Sequence, residues 1–155
     1  LKIASLNTAA WQQKPLAEEL GLSQSEVSQS VARSVYAGLL HQKGKLVMKS
    51  TLLDFLQYGI SVVFPQQPGP VVRGIATAHS ALPLAELIES SESYVWPYAK
   101  GNLRGQAIEP LYSSVPQAAL KDPLLYELLA LTDALRVGKA REKALAIQEL
   151  KKRLA

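Results

Sequence analysis

The sequence predicts an α+β fold in which an N-terminal helical part is followed by a small antiparallel sheet and by C-terminal helices. Three observations lead to this prediction. Apolar residues recur at helical spacing in the first 40 residues, short β-branched and aromatic runs bounded by Pro and Gly fill the middle, and leucine-rich helical patterns close the chain. With 155 residues, 48% of them hydrophobic, the chain has enough apolar material for a core.

Residues 14–22 predict a short helix that ends in a sharp turn. Pro15 suits the first turn of a helix, where its missing N–H would have had no helical partner. Gly21 can adopt the left-handed backbone conformation that redirects the chain. Two short helices joined by such a turn form a helix-turn-helix.

A second helix is predicted to begin at Ser23 and to end near Gly38. Ser23 and Glu26 have the spacing of a capping box, in which each side chain bonds the backbone N–H of the other residue. Apolar residues at i, i+4 and i+8 form the stripe expected to be buried, namely Val27, Val31 and Val35. The opposite face carries Ser25, Gln29, Ala32, Arg33 and Tyr36, with Ser28 at its side.

The stretch LAEELGLSQSEVSQSVARSVYAGLL resembles the helix-turn-helix core of bacterial winged-helix transcriptional regulators of the MarR-like kind, over about residues 1–50. The resemblance implies that the second helix enters the major groove of double-stranded DNA. Transferred by position, it implies DNA contacts by Gln24, Ser25, Ser28, Gln29 and Arg33. The chemistry agrees, because Gln can pair with adenine, Arg with guanine or phosphate, and Ser with bases or backbone.

Residues 39–48 are predicted to form a short wing, consisting of a strand, a tight turn and a second strand. The tip of this wing is the sequence Lys43-Gly44-Lys45. Two cations at the tip suit contact with phosphates or with the minor groove. We therefore expect Lys43 and Lys45 to contribute to DNA binding.

The middle of the chain contains two similar units, each predicted to be a β-hairpin. The first consists of residues 60–65 and 71–77, and the second of residues 94–97 and 103–108. Each unit has an aromatic residue before Pro, then a loop, then an apolar residue before Arg-Gly. The sequence therefore predicts a winged helix-turn-helix domain in residues 1–58 and an α+β domain in residues 59–155. The second domain is expected to contain two hairpin units and two helices, and to serve in dimerisation or effector binding.

Aromatic and basic residues of the second domain permit two interpretations. Trp96, Tyr94 and Phe64, with Arg73 or Arg104, are residues that can line a pocket for an anion. The same residues suit packing at the edge of a sheet, or a surface that contacts a second protomer or another protein. The sequence leaves these alternatives open.

Two helices are predicted at the C-terminus. Asp122 and Pro123 suit the N-cap and first position of a helix that is apolar on more than one face. Residues 139–154 form a basic amphipathic pattern whose seam contains Ile147, Leu150 and Leu154. Three roles remain open for this last helix: packing within its own domain, pairing with a second protomer, and supplementary DNA contact.

Residues 51–155 as a whole, with VVFP, RGIATAHS, EPLY and DPLLYELLALTDALRVGKAREKALA, resemble a recurrent, poorly characterised bacterial protein family joined to a helix-turn-helix. This resemblance implies a bacterial origin and a two-part architecture, and it implies no mechanism.

Composition and charge exclude several classes of protein. The chain has no cysteine, so disulfides and thiolate metal sites are excluded. His41 and His79 have no partner at metal-ligand spacing, and no Ser lies in Gly-x-Ser-x-Gly. We therefore expect neither an enzyme nor a bound metal or cofactor. No apolar run reaches the length of a membrane span and no signal peptide is visible, so we expect a cytoplasmic protein without membrane contact.

The distribution of charge favours polyanion contact at the two ends of the chain. The net charge is +4, with six basic and three acidic residues in positions 1–50, one basic and four acidic in 51–99, and ten basic and six acidic in 100–155. The prediction is a sequence-specific DNA-binding transcriptional regulator acting as a homodimer, since one half-site buries little surface. The alternative is an antitoxin-like or partner-docking module that binds a protein without reading DNA sequence.

Overall fold

The computed structural model describes residues 1–43 and 45–155. This part of the chain has a mixed α+β fold, with eight α-helices and one three-stranded sheet. The helices are α1 (Lys2–Leu6), α2 (Gln13–Leu20), α3 (Gln24–Tyr36), α4 (Lys49–Tyr58), α5 (Ile60–Val63), α6 (Val115–Lys121), α7 (Pro123–Val137) and α8 (Ala140–Leu154). The strands are β1 (Val71–Ala76), β2 (Tyr94–Pro97) and β3 (Leu103–Ala107). None of the described helices is long and apolar enough to cross a membrane.

The predicted strand at residues 60–65 is wrong, because Ile60–Val63 form the helical turn α5. Ile60 is buried in one cluster with Leu52 and Leu56. These three residues follow one another at intervals of four, so Ile60 extends the apolar stripe of α4. Helical packing against the core therefore outweighs the β propensity of the following valines.

The sheet also differs from the prediction of about four antiparallel strands. β1 pairs antiparallel with both β2 and β3, while β2 and β3 pair parallel through Tyr94–Gln106 and Val95–Ala107. The three strands thus close on themselves as a small barrel. Neither predicted hairpin unit forms as expected, since the first lacks one strand and the strands of the second run parallel.

The core lies mainly between the C-terminal helices and their neighbours. α7 is buried over most of its length, and α8 contributes Ala146, Leu150 and Leu154. Both C-terminal helices occur where the sequence predicts them, with Asp122 capping α7 and Gly138 separating α7 from α8. α4 packs on the same cluster, so contacts cross the predicted boundary at residue 58. The division into two domains stays a prediction.

A buried polar network connects α7 to the sheet. The carboxylate of Asp133 accepts hydrogen bonds from the Thr77 hydroxyl at 2.7 Å and the Trp96 indole N–H at 2.6 Å. It also accepts one from the Arg136 guanidinium at 2.7 Å. Burial raises the pKa of Asp133, whereas the bonds from Thr77, Arg136 and Trp96 act to lower it. The network uses Trp96 as a structural residue, which places it outside the anion pocket considered above.

Candidate nucleic-acid interface

The α2–α3 helix pair is held at its turn by Gly21. This residue has φ 65°, in the left-handed region, as the sequence predicts. The N–H of Leu22 bonds to the carbonyl of Ala17 at 2.9 Å, which closes the turn. Leu16, Ala17 and Val27 then pack together with Trp11 in a small cluster of buried residues. The pair is therefore fixed by both backbone bonds and apolar contact.

Helix α3 has a complete cap at each end. The backbone N–H of Glu26 donates to the Ser23 hydroxyl at 3.1 Å, and the N–H of Ser23 donates to the Glu26 carboxylate at 2.8 Å. At the other end, the N–H of Leu39 donates to Ser34 O and that of Gly38 donates to Val35 O, which is a Schellman motif. These caps set the predicted limits of α3 at Ser23 and Gly38.

All five α3 residues predicted to contact DNA are exposed on this helix, namely Gln24, Ser25, Ser28, Gln29 and Arg33. Gln29 donates to the Ser25 hydroxyl at 3.3 Å, and Arg33 donates to the Ser30 hydroxyl at 3.0 Å. These are surface bonds within one helix, so a ligand can replace them at little cost. The exposed face keeps both donors and acceptors available.

Glu26 is the single acidic residue of α3, and its charge is directed into the cap. Besides Ser23, it accepts a hydrogen bond from the Tyr112 hydroxyl. The bond from Tyr112, followed by those from Ser23, lowers the pKa of Glu26 below its ordinary value. The carboxylate is thus ionised and already bonded, which leaves the remaining exposed face without an acid.

The described residues after α3 form one antiparallel bridge in place of the two predicted strands. Leu40 and Val47 form an isolated antiparallel bridge, and the His41 N–H donates to Leu46 O at 2.8 Å. Gly44, in the middle of the predicted wing tip, lies outside the described residues. Lys43 and Lys45, on either side of it, are both exposed. The winged helix as a unit stays a prediction.

Lys45 has an anchoring role that the sequence did not indicate. Its ammonium donates to Trp11 O at 2.7 Å and lies 4.3 Å from the centre of a Trp11 ring. In return, the Trp11 indole N–H donates to Lys45 O at 2.9 Å. Trp11 thus fastens the segment after α3 to the α2–α3 pair. Lys43 has no such anchor among the described contacts and extends from an exposed position.

The helix pair is also tied to the C-terminal part of the chain. The Ser114 hydroxyl donates to Leu20 O at 2.6 Å, directly before the Gly21 turn. The buried Lys2 bonds to Asp122 at 2.6 Å and also pairs with Glu19 of α2. Partial burial acts to raise the pKa of Asp122, but the bonds from Lys2 and from the Leu125 N–H outweigh it and lower the pKa. These contacts fix how α3 is presented on the surface.

Sequence reasoning missed Trp11, Tyr112 and Ser114 as residues that position α3. Each acts over a long separation in the chain, 34 residues for Trp11 with Lys45 and 94 for Ser114 with Leu20. No local spacing rule connects such residues. The one available signal was Trp11 beside an amphipathic helix, which indicates packing but does not indicate the residue it contacts.

The residues that the sequence suggested for an anion pocket are not brought together. Trp96 and Tyr94 are buried, whereas Arg73 and Arg104 are exposed on the sheet and Phe64 follows α5. An aromatic pocket with an arginine, as considered from the sequence, does not form from these residues.

Comparison with known proteins gives no further assignment. No protein-family model, no curated protein and no solved structure matches this chain.

Proposed function

We propose that the protein binds double-stranded DNA through the exposed face of α3, and that it acts as a transcriptional regulator. One observation carries this proposal. A helix that is capped at both ends and fixed from behind presents Gln, Ser and Arg side chains to solvent, while its only acid is bonded in the cap. Such a face has the donors and acceptors that read base edges in the major groove.

Rigid support of α3 favours recognition over a purely structural role. Direct readout requires side chains held in a fixed register on the duplex. Tyr112, Ser114 and Trp11 supply this support, and the α3 residues predicted to contact DNA stay exposed. Lys43, in the segment that follows α3, adds an exposed cation that suits contact with a phosphate.

A homodimer in the bacterial cytoplasm is part of the proposal. A single α3 reaches only one half-site, and dimers that bind two half-sites gain both area and specificity. The proposal therefore includes a palindromic or nearly palindromic operator.

The experiment is selection of bound duplexes from a random DNA pool, at low and at high salt, followed by sequencing. We expect enrichment of one motif with two symmetric halves. The double variant Gln29→Ala/Arg33→Ala should lose the enrichment, and a matched double variant on other helices, Gln148→Ala/Lys121→Ala, should keep it. Both control residues are exposed and lie outside α3. Enrichment that persists in the α3 double variant, or no enrichment by the wild type, would overturn the proposal.

A second candidate function is docking of a partner protein, and a separate observation favours it. Around α5 the side chains of Val62, Val63 and Phe64 are 77%, 58% and 42% exposed. Adjacent exposed apolar residues are typical of surfaces that bind proteins. Salt separates the two functions, because affinity for phosphates falls steeply with salt and an apolar interface changes little. Retention of a protein partner at high salt, lost in Val62→Ser/Val63→Ser, would support this candidate.

A further inference from the structure

Two arginines are paired across neighbouring strands of the sheet, and neither belongs to α3. Arg73 of β1 and Arg104 of β3 are direct partners in the antiparallel register. Directly opposed residues lie on the same face of a sheet, with Cβ atoms about 4.5–5.5 Å apart. Both side chains are exposed. Like charges in this position destabilise a pair of strands, so an anion bound between them would relieve the repulsion.

In the described part of the chain, no carboxylate forms an ion pair with Arg73 or Arg104. Within residues 1–43 and 45–155, the ion pairs and side-chain hydrogen bonds involve other basic residues, and neither Arg73 nor Arg104 takes part in one. By contrast, Arg136 and Arg153 each bond to a carboxylate. The two opposed guanidinium groups therefore keep their donors available for an external anion.

The backbone next to the arginines forms a shaped site. The two arginines line a cavity of about 120 Å³ together with Gly101, Asn102 and Leu103. The loop that carries Gly101 passes so close to β1 that a Cβ at this position would lie 2.1 Å from the carbonyl oxygen of Gly74. This close approach fixes the loop and brings Asn102, whose amide is a further donor, beside the pair.

We infer that Arg73 and Arg104 form a binding site for a phosphate group. Guanidinium groups bind tetrahedral oxyanions through paired, charge-assisted hydrogen bonds. Two of them on one face, with an amide at the side, match the several oxygens of a phosphate better than the two of a carboxylate. The site does not depend on α3, so it stands or fails separately from the proposed function.

Thermal unfolding at low ionic strength tests this inference, with inorganic phosphate as the probe and chloride at equal ionic strength as the reference. Phosphate should raise the melting temperature of the wild type more than chloride does. In Arg73→Gln and Arg104→Gln the apparent affinity for phosphate should fall about tenfold or more. Arg141→Gln, which removes an exposed arginine of α8, should respond as the wild type does.

The same variants give an independent readout without phosphate. Removing one of two opposed charges should leave the free protein as stable as the wild type or more stable, because the repulsion is relieved. If the arginine had only a structural role, its replacement would lower the stability of the free protein. An equal phosphate effect in wild type and both variants, or no effect beyond chloride in the wild type, would overturn the inference.

Two sources can supply the phosphate, and a further arm distinguishes them. Affinity for a DNA duplex is measured for the wild type and for Arg73→Gln/Arg104→Gln, alongside binding of a nucleoside monophosphate. Weaker DNA binding with a smaller salt dependence in the variant assigns the site to the nucleic-acid backbone. Unchanged DNA binding with loss of nucleoside monophosphate binding assigns it to a small phosphorylated ligand. Loss of neither overturns the inference.

Discussion

Replacing Asp133 by Ala removes the acceptor on which the buried network of α7 depends. Asp133 is 1% exposed and accepts bonds from Thr77, Trp96 and Arg136. Its loss leaves the Arg136 charge, itself 7% exposed, without a counter-charge. Breaking a buried ion pair by removing one partner costs about 3–5 kcal/mol. The hydroxyl of Thr77 and the indole N–H of Trp96 also lose their acceptor, at about 1–3 kcal/mol each.

These costs are not additive, because the three donors share one carboxylate. We therefore expect the free energy of unfolding to fall by about 3–5 kcal/mol, a large part of the 5–15 kcal/mol that is typical of a domain. The melting temperature should fall by roughly 6–20 °C, at about 2–4 °C per kcal/mol for a chain of this size. The arginine keeps its bonds to the carbonyls of Phe64 and Glu109, which limits the loss.

Urea unfolding followed by circular dichroism measures this change, with tryptophan fluorescence as a second probe. Asp54→Ala is the control, because Asp54 is exposed on α4 and should change stability by no more than about 0.5 kcal/mol. A loss below about 1 kcal/mol in Asp133→Ala would refute the assignment of the network as a stabilising connection between α7 and the sheet.

Two further predictions concern the support of α3. Glu26→Gln should destabilise the protein at neutral pH but not in acid. Bonds from Tyr112 and Ser23 lower the pKa of Glu26 in the folded state. The stability that the ionised carboxylate contributes is therefore present above the unfolded-state pKa and is lost as the pH falls through the lower folded-state value. Urea unfolding of both proteins at neutral and acid pH checks this, and a difference that persists in acid would contradict it. Trp11→Phe removes the indole donor to Lys45 O and should cost about 0.5–1.5 kcal/mol in thermal unfolding, whereas an unchanged melting temperature would show that this bond does not fasten the segment.

The parts of the fold that depend on residues close to each other in the sequence were predictable from it. The limits of α3 follow from Ser23, Glu26 and Gly38, all of which act within one helix or its turn. Asp122 likewise marks the start of α7 through a bond to the nearby Leu125 N–H. Local hydrogen bonds of this kind are set by residue type and spacing alone.

The parts that depend on distant partners were not predictable. The β-branched run after Ile60 has strand propensity, but burial of Ile60 against the helical core decides its conformation. The parallel contact of β2 with β3 depends on both strands pairing with β1. For the candidate interface, the exposed face of α3 was visible in the sequence, whereas its supports Trp11 and Tyr112 were not, because they act across long chain separations.

The most direct test of the central claim is the affinity of single α3 variants for a selected duplex. Gln29→Ala and Arg33→Ala should each weaken specific binding by about 1–3 kcal/mol, without loss of stability, since both side chains are exposed. Arg33→Lys keeps the charge but loses the planar guanidinium, so it should remain weak on the selected site if Arg33 contacts a base. Wild-type affinity in both Ala variants would contradict the proposed role of α3, because neither Gln29 nor Arg33 would then contact a base.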